Sequence, residues 1–268
     1  SYGAGIGSGS GYNSEMSGSI TISGGKVTAF SNDNGAGIGS GSGYNSEMSE
    51  MSGTITISGG EVTASSYAFG AGIGAGDYGN ITERGSITIG GNADVTVSSY
   101  EGLGIGSGDY GNMNGTITIT DDAKVDITLG NISNKKGIGA GDKFDGKINI
   151  LEHANVELKY DDTDYEGTPA IGSTNEASTG EITLSTGAKI NGTQASDVEA
   201  LKALGILNDN AVTTTVEPTP EPVEPEVKPD SRSTYSLKQL YIVQRINKAD
   251  DGDVVTVSEE QLSKGKLP

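Results

Sequence analysis

The side chains best placed for chemistry in this 268-residue chain are tyrosines and aspartates that recur in one kind of loop. Aromatic residues stand at Tyr12, Tyr44, Tyr78, Tyr110 and Phe144, each a few residues after a Gly-Ile-Gly element. A row of rings offers flat apolar faces with hydroxyl handles, which suits sugars or protein side chains. The competing reading is that each ring covers its own loop, because exposed aromatic rows are costly without a partner. Asp77, Asp109 and Asp142 follow glycine in the same loops. Calcium needs several converging oxygen ligands, so these three mark a candidate structural calcium site, set against the plainer reading of solvated turn carboxylates. No other cofactor is expected.

Catalytic chemistry finds less to work with. His153 is the only histidine, and Arg84 is the only arginine within the repeats. Glycoside hydrolysis needs two positioned carboxyl groups, and a lyase needs a base beside a neutralised carboxylate. Regular ranks of Thr and Gly do not supply such a groove, so a non-enzyme is expected, with a polysaccharide-degrading enzyme as the alternative from another class. Outward pairs such as Ser19 and Thr21, Thr54 and Thr56, Ser86 and Thr88, and Thr116 and Thr118 resemble the flat arrays of ice-binding solenoids. Lys147 and Glu181 interrupt the array, which favours ordinary strand preference on a solvated face.

The formal charge of -19 excludes a phosphate-binding partner, since nucleic-acid affinity comes largely from Lys and Arg. An anionic membrane surface is excluded on the same ground, and no apolar run is long enough for membrane insertion within this chain. Cysteine is absent, so stability does not depend on redox state.

The elements that position these loops repeat along the chain. The central Ile of Gly-Ile-Gly recurs as Ile6, Ile38, Ile73, Ile105, Ile138 and Ile171, at spacings of 32, 35, 32, 33 and 33 residues. Each copy brings an Ile-Thr-Ile run, such as Ile55-Thr56-Ile57, and a Val-Thr-Ala or Val-Thr-Val run, such as Val95-Thr96-Val97. Alternation of this kind is the period-two signal of a strand with one buried face. In the Gly-Ile-Gly element Ala and Ile are expected inside and the glycines outside, where they would permit close approach or a sharp corner.

Three short strands per repeat, with matching residues one period apart, describe a parallel β-solenoid. The expected fold is all-β, a right-handed β-helix of about six coils of ~33 residues. An antiparallel sandwich explains the strict repeat less well. Residues 1–194 form the repeat domain, and 195–215 a capping helix and exit segment, with Ser196 or Asp197 as N-cap and Gly205 near the stop. Residues 216–232 alternate Pro and Glu and read as an extended linker. Residues 233–268 read as the start of a truncated second module. The chain opens inside a repeat, so it is expected to be a fragment of a longer protein.

Gly35-Ala36-Gly37-Ile38-Gly39-Ser40-Gly41, followed by Ile55-Thr56-Ile57-Ser58-Gly59-Gly60 and Val62-Thr63-Ala64, resembles the repeats of large cell-surface, adhesin-like proteins of Gram-positive anaerobic bacteria. That family has the right-handed, pectin-lyase-like β-helix fold. The resemblance covers residues 1 to about 194 and implies an extracellular, surface-attached or secreted protein. The expected partners are glycans or host and cell-surface proteins, met by a monomer.

Overall fold

The computed structural model describes residues 2–10, 15–43, 48–130, 136–161 and 169–207, and the backbone of 213–217. The Gly-Ile-Gly elements become the strands Ile6–Gly7, Ile38–Gly39, Ile73–Gly74, Ile105–Gly106, Lys136–Gly139 and Ala170–Gly172. They form one six-stranded parallel sheet in chain order, with the six Ile in register. Each repeat is therefore one coil. Six rungs enclose five turns from Ile6 to Ile171, close to the expected six coils.

The Ile-Thr-Ile and Val-Thr-Ala runs are two wings of a second sheet. In the first two rungs a single 13-residue strand, Ser19–Ser31 or Thr54–Ser66, carries both runs through a Ser-Gly-Gly corner. From the third rung the corner is one residue longer and the wings separate, as in Ser86–Ile89 and Asp94–Ser99. Gly91, Asp121 and Glu152 turn that corner at φ +59, 57 and 54. The extra residue is an inward alanine, and Ala93, Ala123, Ala154 and Ala188 are all buried.

A fourth apolar row lies where the sequence suggested only a loop. Glu15–Met16, Ser49–Met51 and Gly79–Ile81 pair in parallel, and single bridges continue the row from Ile81 to Met113 to Phe144. Met51, Ile81, Met113 and Phe144 have no exposed surface. Each fully buried side chain of this size is worth about 1.5–3 kcal/mol of transfer free energy. Among the described residues the row thus anchors the base of the long loops from Met16 to Phe144.

The glycines do not face outward as expected. A Cβ on Gly104 would lie 2.3 Å from Ile127 Cγ2, across the core. Gly106 sits at φ +148, and a Cβ there would lie 1.9 Å from the Gly139 carbonyl oxygen. What approaches these glycines closely is the protein itself: the opposite wing in one case and the next rung in the other.

The two ends differ. In the first rung Ile6, Ile20 and Val27 are only partly buried. At the far end the helix Val198–Ala203 is capped by Asp197, whose carboxylate accepts from Ala200 N at 3.1 Å, and Gly205 at φ +71 ends it. Leu201, Ile206 and Leu207 are buried there, and Leu207 bridges to Ile171. Thr213–Glu217 then pairs with Glu181–Ser185, so the sheet reaches into the segment expected to begin the linker. The chain divides into units 1–219 and 220–268. The second unit, including the expected module, lies outside the described residues.

Candidate functional site

The long-loop edge is built from its anchors outward. Gly76-Asp77-Tyr78-Gly79-Asn80-Ile81 and Gly108-Asp109-Tyr110-Gly111-Asn112-Met113 have equal length, and Ile81 and Met113 are pinned in register. The two loops therefore stand one rung, about 4.8 Å, apart, although Tyr78 takes a left-handed backbone at φ +53 and Tyr110 does not. Tyr78 and Tyr110 stack with centroids 4.9 Å apart and planes 23° apart. Tyr78 is half-buried, whereas Tyr110 is 56% exposed. Asp77 and Asp109 are largely buried beside the pair, and Asn34 Nδ2 donates to Asp77 Oδ2 at 3.2 Å. The Asp109 carboxylate raises the Tyr110 phenol above its ordinary 10.0, with desolvation, Tyr78 and Asp77 adding to the effect.

Stacking changes what the rings can offer. Within the pair each ring covers a face of the other, so the edge presents ring edges and hydroxyls rather than a row of open faces. Tyr12 and Tyr44 lie outside the described residues.

Phe144 does not continue the row. It is buried, pairs in register with Met113, and belongs to the core. The reason is a shorter turn: Gly141-Asp142-Lys143-Phe144 crosses the corner with two residues fewer than the loops before it. The calcium expectation also fails to gather its ligands. Asp142 stands on that shortened turn, where its Oδ1 accepts from Asn175 Nδ2 at 2.7 Å. Among the described residues no three Asp, Glu or His side chains converge so as to hold a metal ion.

Asn80 and Asn112 of the same loops line a polar groove of about 490 Å³ that sequence reasoning missed. Glu15, Glu50 and Asn80 stand in register on adjacent strands and line it, with Asn112 one rung further. Thr82, Glu83 and Arg84 line it too. Asn80 Oδ1 accepts from Asn112 N at 2.7 Å, and Asn112 Oδ1 accepts from Lys143 N at 3.1 Å. This asparagine ladder ties the groove to the tyrosine loops. Ser52 Oγ donates to Glu15 Oε1 at 2.5 Å.

A second tyrosine pair was also missed. Tyr67 and Tyr100 stack at another corner with centroids 5.5 Å and planes 7° apart, and both are exposed. Phe30 is exposed one rung earlier. The remaining singled-out residues lie elsewhere. His153 is exposed on a corner with Nδ1 3.7 Å from Asp122 Oδ1. Lys136 is buried in the Gly-Ile-Gly sheet, and desolvation pushes its ammonium pKa down. The outward Thr row is in register but passes through Asn149, and the row beside it ends in the Lys147–Glu181 ion pair at 3.5 Å. Among the described residues no helix is long and apolar enough to cross a membrane.

The Beta helix repeat family matches residues 20–42 and 55–77. Nothing among curated proteins and nothing among solved structures matches the chain. The matched segments are the Ile-Thr-Ile to Gly-Ile-Gly portions of two successive rungs, and the later rungs continue them in register. The chain is a right-handed parallel β-helix repeat protein.

Proposed function

We propose that this β-helix is a non-catalytic bacterial surface protein for adhesion and display. In this reading it is extracellular and binds glycans or host proteins along the long-loop edge. The observation that carries it is the Tyr78–Tyr110 stack, with Tyr110 exposed, in loops whose Asn80 and Asn112 line a polar groove of about 490 Å³. Amides of Asn80 and Asn112 and carboxylates of Glu15 and Glu50 line the groove, and the tyrosine hydroxyls stand on the same loops as the two asparagines. A stiff rod with such a strip on one edge suits a repetitive, hydroxyl-rich ligand. A pure spacer needs neither the tyrosine stack nor the groove.

The test is binding of the full chain to an array of plant, mucin and bacterial glycans, with and without calcium. A reproducible signal lost in the Tyr78→Ala/Tyr110→Ala double variant, with the fold intact by circular dichroism, supports adhesion through this edge. No signal from the folded wild type under either condition moves the assignment to a spacer or a protein-binding scaffold.

One observation favours a second reading. Glu15 and Glu50 occupy adjacent rungs of the groove with Glu83 and Arg84 nearby in its lining, and hydrolysis of a glycosidic bond needs two positioned carboxyl groups. Release of reducing ends from a bound polysaccharide, abolished by Glu50→Gln, would establish an enzyme instead.

A further inference from the structure

The Tyr78–Tyr110 stack stops at the fourth rung, and the manner of stopping leaves a step. The fifth rung crosses the corner two residues short, and register returns only at Asn112 with Lys143 and at Met113 with Phe144. Asp142 N donates to Gly111 O at 3.0 Å, so the short turn closes directly beneath the residue that follows Tyr110. Among the described residues, Tyr110 therefore has no counterpart in the fifth rung. One face of its ring lies on Tyr78, no ring of the next rung stacks on the other among the described residues, and the residue is 56% exposed.

The short turn carries fixed polar groups, and Asp109 adjoins Tyr110. Asp142 Oδ1 accepts from Asn175 Nδ2 at 2.7 Å, Ser173 Oγ donates to the Asp142 carbonyl, and the Asp109 carboxylate lies beside Tyr110. An open aromatic face next to a few fixed hydrogen-bonding groups is the combination that holds a sugar ring, with its C–H face on the aromatic and its hydroxyls on the polar groups. Charge narrows the class. Asp109 lies beside Tyr110 and Asp142 stands on the short turn, in a chain of net charge -19, and Lys143 of the same turn is engaged by Asp145 at 2.6 Å. A uronate or sialate carboxylate would meet like charge here.

We infer that the step between the fourth and fifth rungs is a subsite for one neutral pyranose unit, stacked face-on against Tyr110. This rests on the proposed glycan-binding role of the edge, and adds to it the class of sugar and its orientation.

The experiment titrates the full chain with cellohexaose, mannohexaose, chitotetraose and an oligogalacturonate, by calorimetry and by the ring-proton shifts of Tyr110. Three variants are compared: Tyr110→Ala, Tyr110→Phe, and an insertion of Tyr-Gly between Asp142 and Lys143 that restores the longer turn. The inference expects at least one neutral oligosaccharide to bind and to shift the Tyr110 ring signals. Tyr110→Ala should weaken binding by about tenfold, the scale of one lost aromatic contact. Tyr110→Phe should stay within about threefold, and the insertion should weaken binding about as much as Tyr110→Ala by covering the open face. Wild-type binding that survives both Tyr110→Ala and the insertion overturns the subsite but leaves edge binding standing. Oligogalacturonate binding as tightly as the neutral sugars overturns the sugar class. Absence of binding by every probe overturns both the subsite and the glycan-binding role. Should the insertion variant not fold, the exposed Tyr110→Ala variant decides alone.

Discussion

The two tyrosine stacks are built by the same rule on different foundations. Tyr78 and Tyr110 stand three residues before the buried Ile81 and Met113, so their spacing is fixed by an apolar row. Tyr67 and Tyr100 each follow a buried serine, and those serines act as brackets: Ser66 Oγ donates to Gly35 O and Ser99 Oγ to Gly70 O, both at 2.9 Å. Both stacks end where the matching position of the next rung carries no stacked ring, yet they end differently. Tyr100 closes down on Gly130, where a Cβ would lie 2.7 Å from the ring carbon Cδ2. Tyr110 ends above a turn that has lost two residues. Similar stacking therefore does not mean similar surroundings: one stack ends against Gly130 and the other above a shortened turn.

Substitutions at the two foundations should separate them. Met113→Ala removes a fully buried side chain under Tyr110 and should cost about 2–5 kcal/mol in denaturant unfolding. It should also broaden the Tyr110 ring signals while sparing those of Tyr100. Ser99→Ala leaves the Gly102 N–H, which Ser99 Oγ accepts at 3.0 Å, without that partner. A loss of about 1–3 kcal/mol is expected, confined to the other corner. Gly130→Ala places its Cβ 2.4 Å from the Tyr100 carbonyl oxygen and should cost about 1–3 kcal/mol while displacing the Tyr100 ring. A neutral result in that variant would mean that the closed end is not tightly packed.

The smallest effect concerns ionisation. Asp109→Asn should lower the Tyr110 phenol pKa toward its ordinary 10.0, read from the tyrosinate absorbance. A raised folded-state pKa contributes stability that is present below the unfolded value and is lost as pH rises through the folded one. The wild type should thus lose a small increment of stability only on the alkaline side of 10.0, and Asp109→Asn should lose less of it. An unchanged phenol titration in Asp109→Asn would remove that carboxylate from the electrostatics of the edge.

The period of Ile6, Ile38, Ile73, Ile105, Ile138 and Ile171 made the solenoid legible, because a parallel coil has to place its apolar residues one repeat apart. The Phe144 assignment went wrong by counting forward from Gly-Ile-Gly, which assumes loops of constant length. Counting back from the next strand is safer: Met16, Met51, Met113 and Phe144 each stand four residues before the first Ile of that run. The signal for the buried row was present in that offset. Tyr67, Tyr100 and Gly130 likewise stand five residues after Val62, Val95 and Val125, so the second stack and its closure were also readable. The groove was not. It arises where Glu15, Glu50, Asn80 and Asn112 line up beside the Thr82-Glu83-Arg84 segment, and a strand of two or three residues gives too little alternation to mark its outward face.

The most direct test sets the stacks against each other: glycan binding by the full chain, measured side by side for Tyr78→Ala/Tyr110→Ala and Tyr67→Ala/Tyr100→Ala. The account predicts that the first pair abolishes binding and the second leaves it within about twofold, with the fold of each variant checked by circular dichroism because Tyr78 is half-buried. Equal loss in both, or loss only in the second, would contradict the assignment of the long-loop edge.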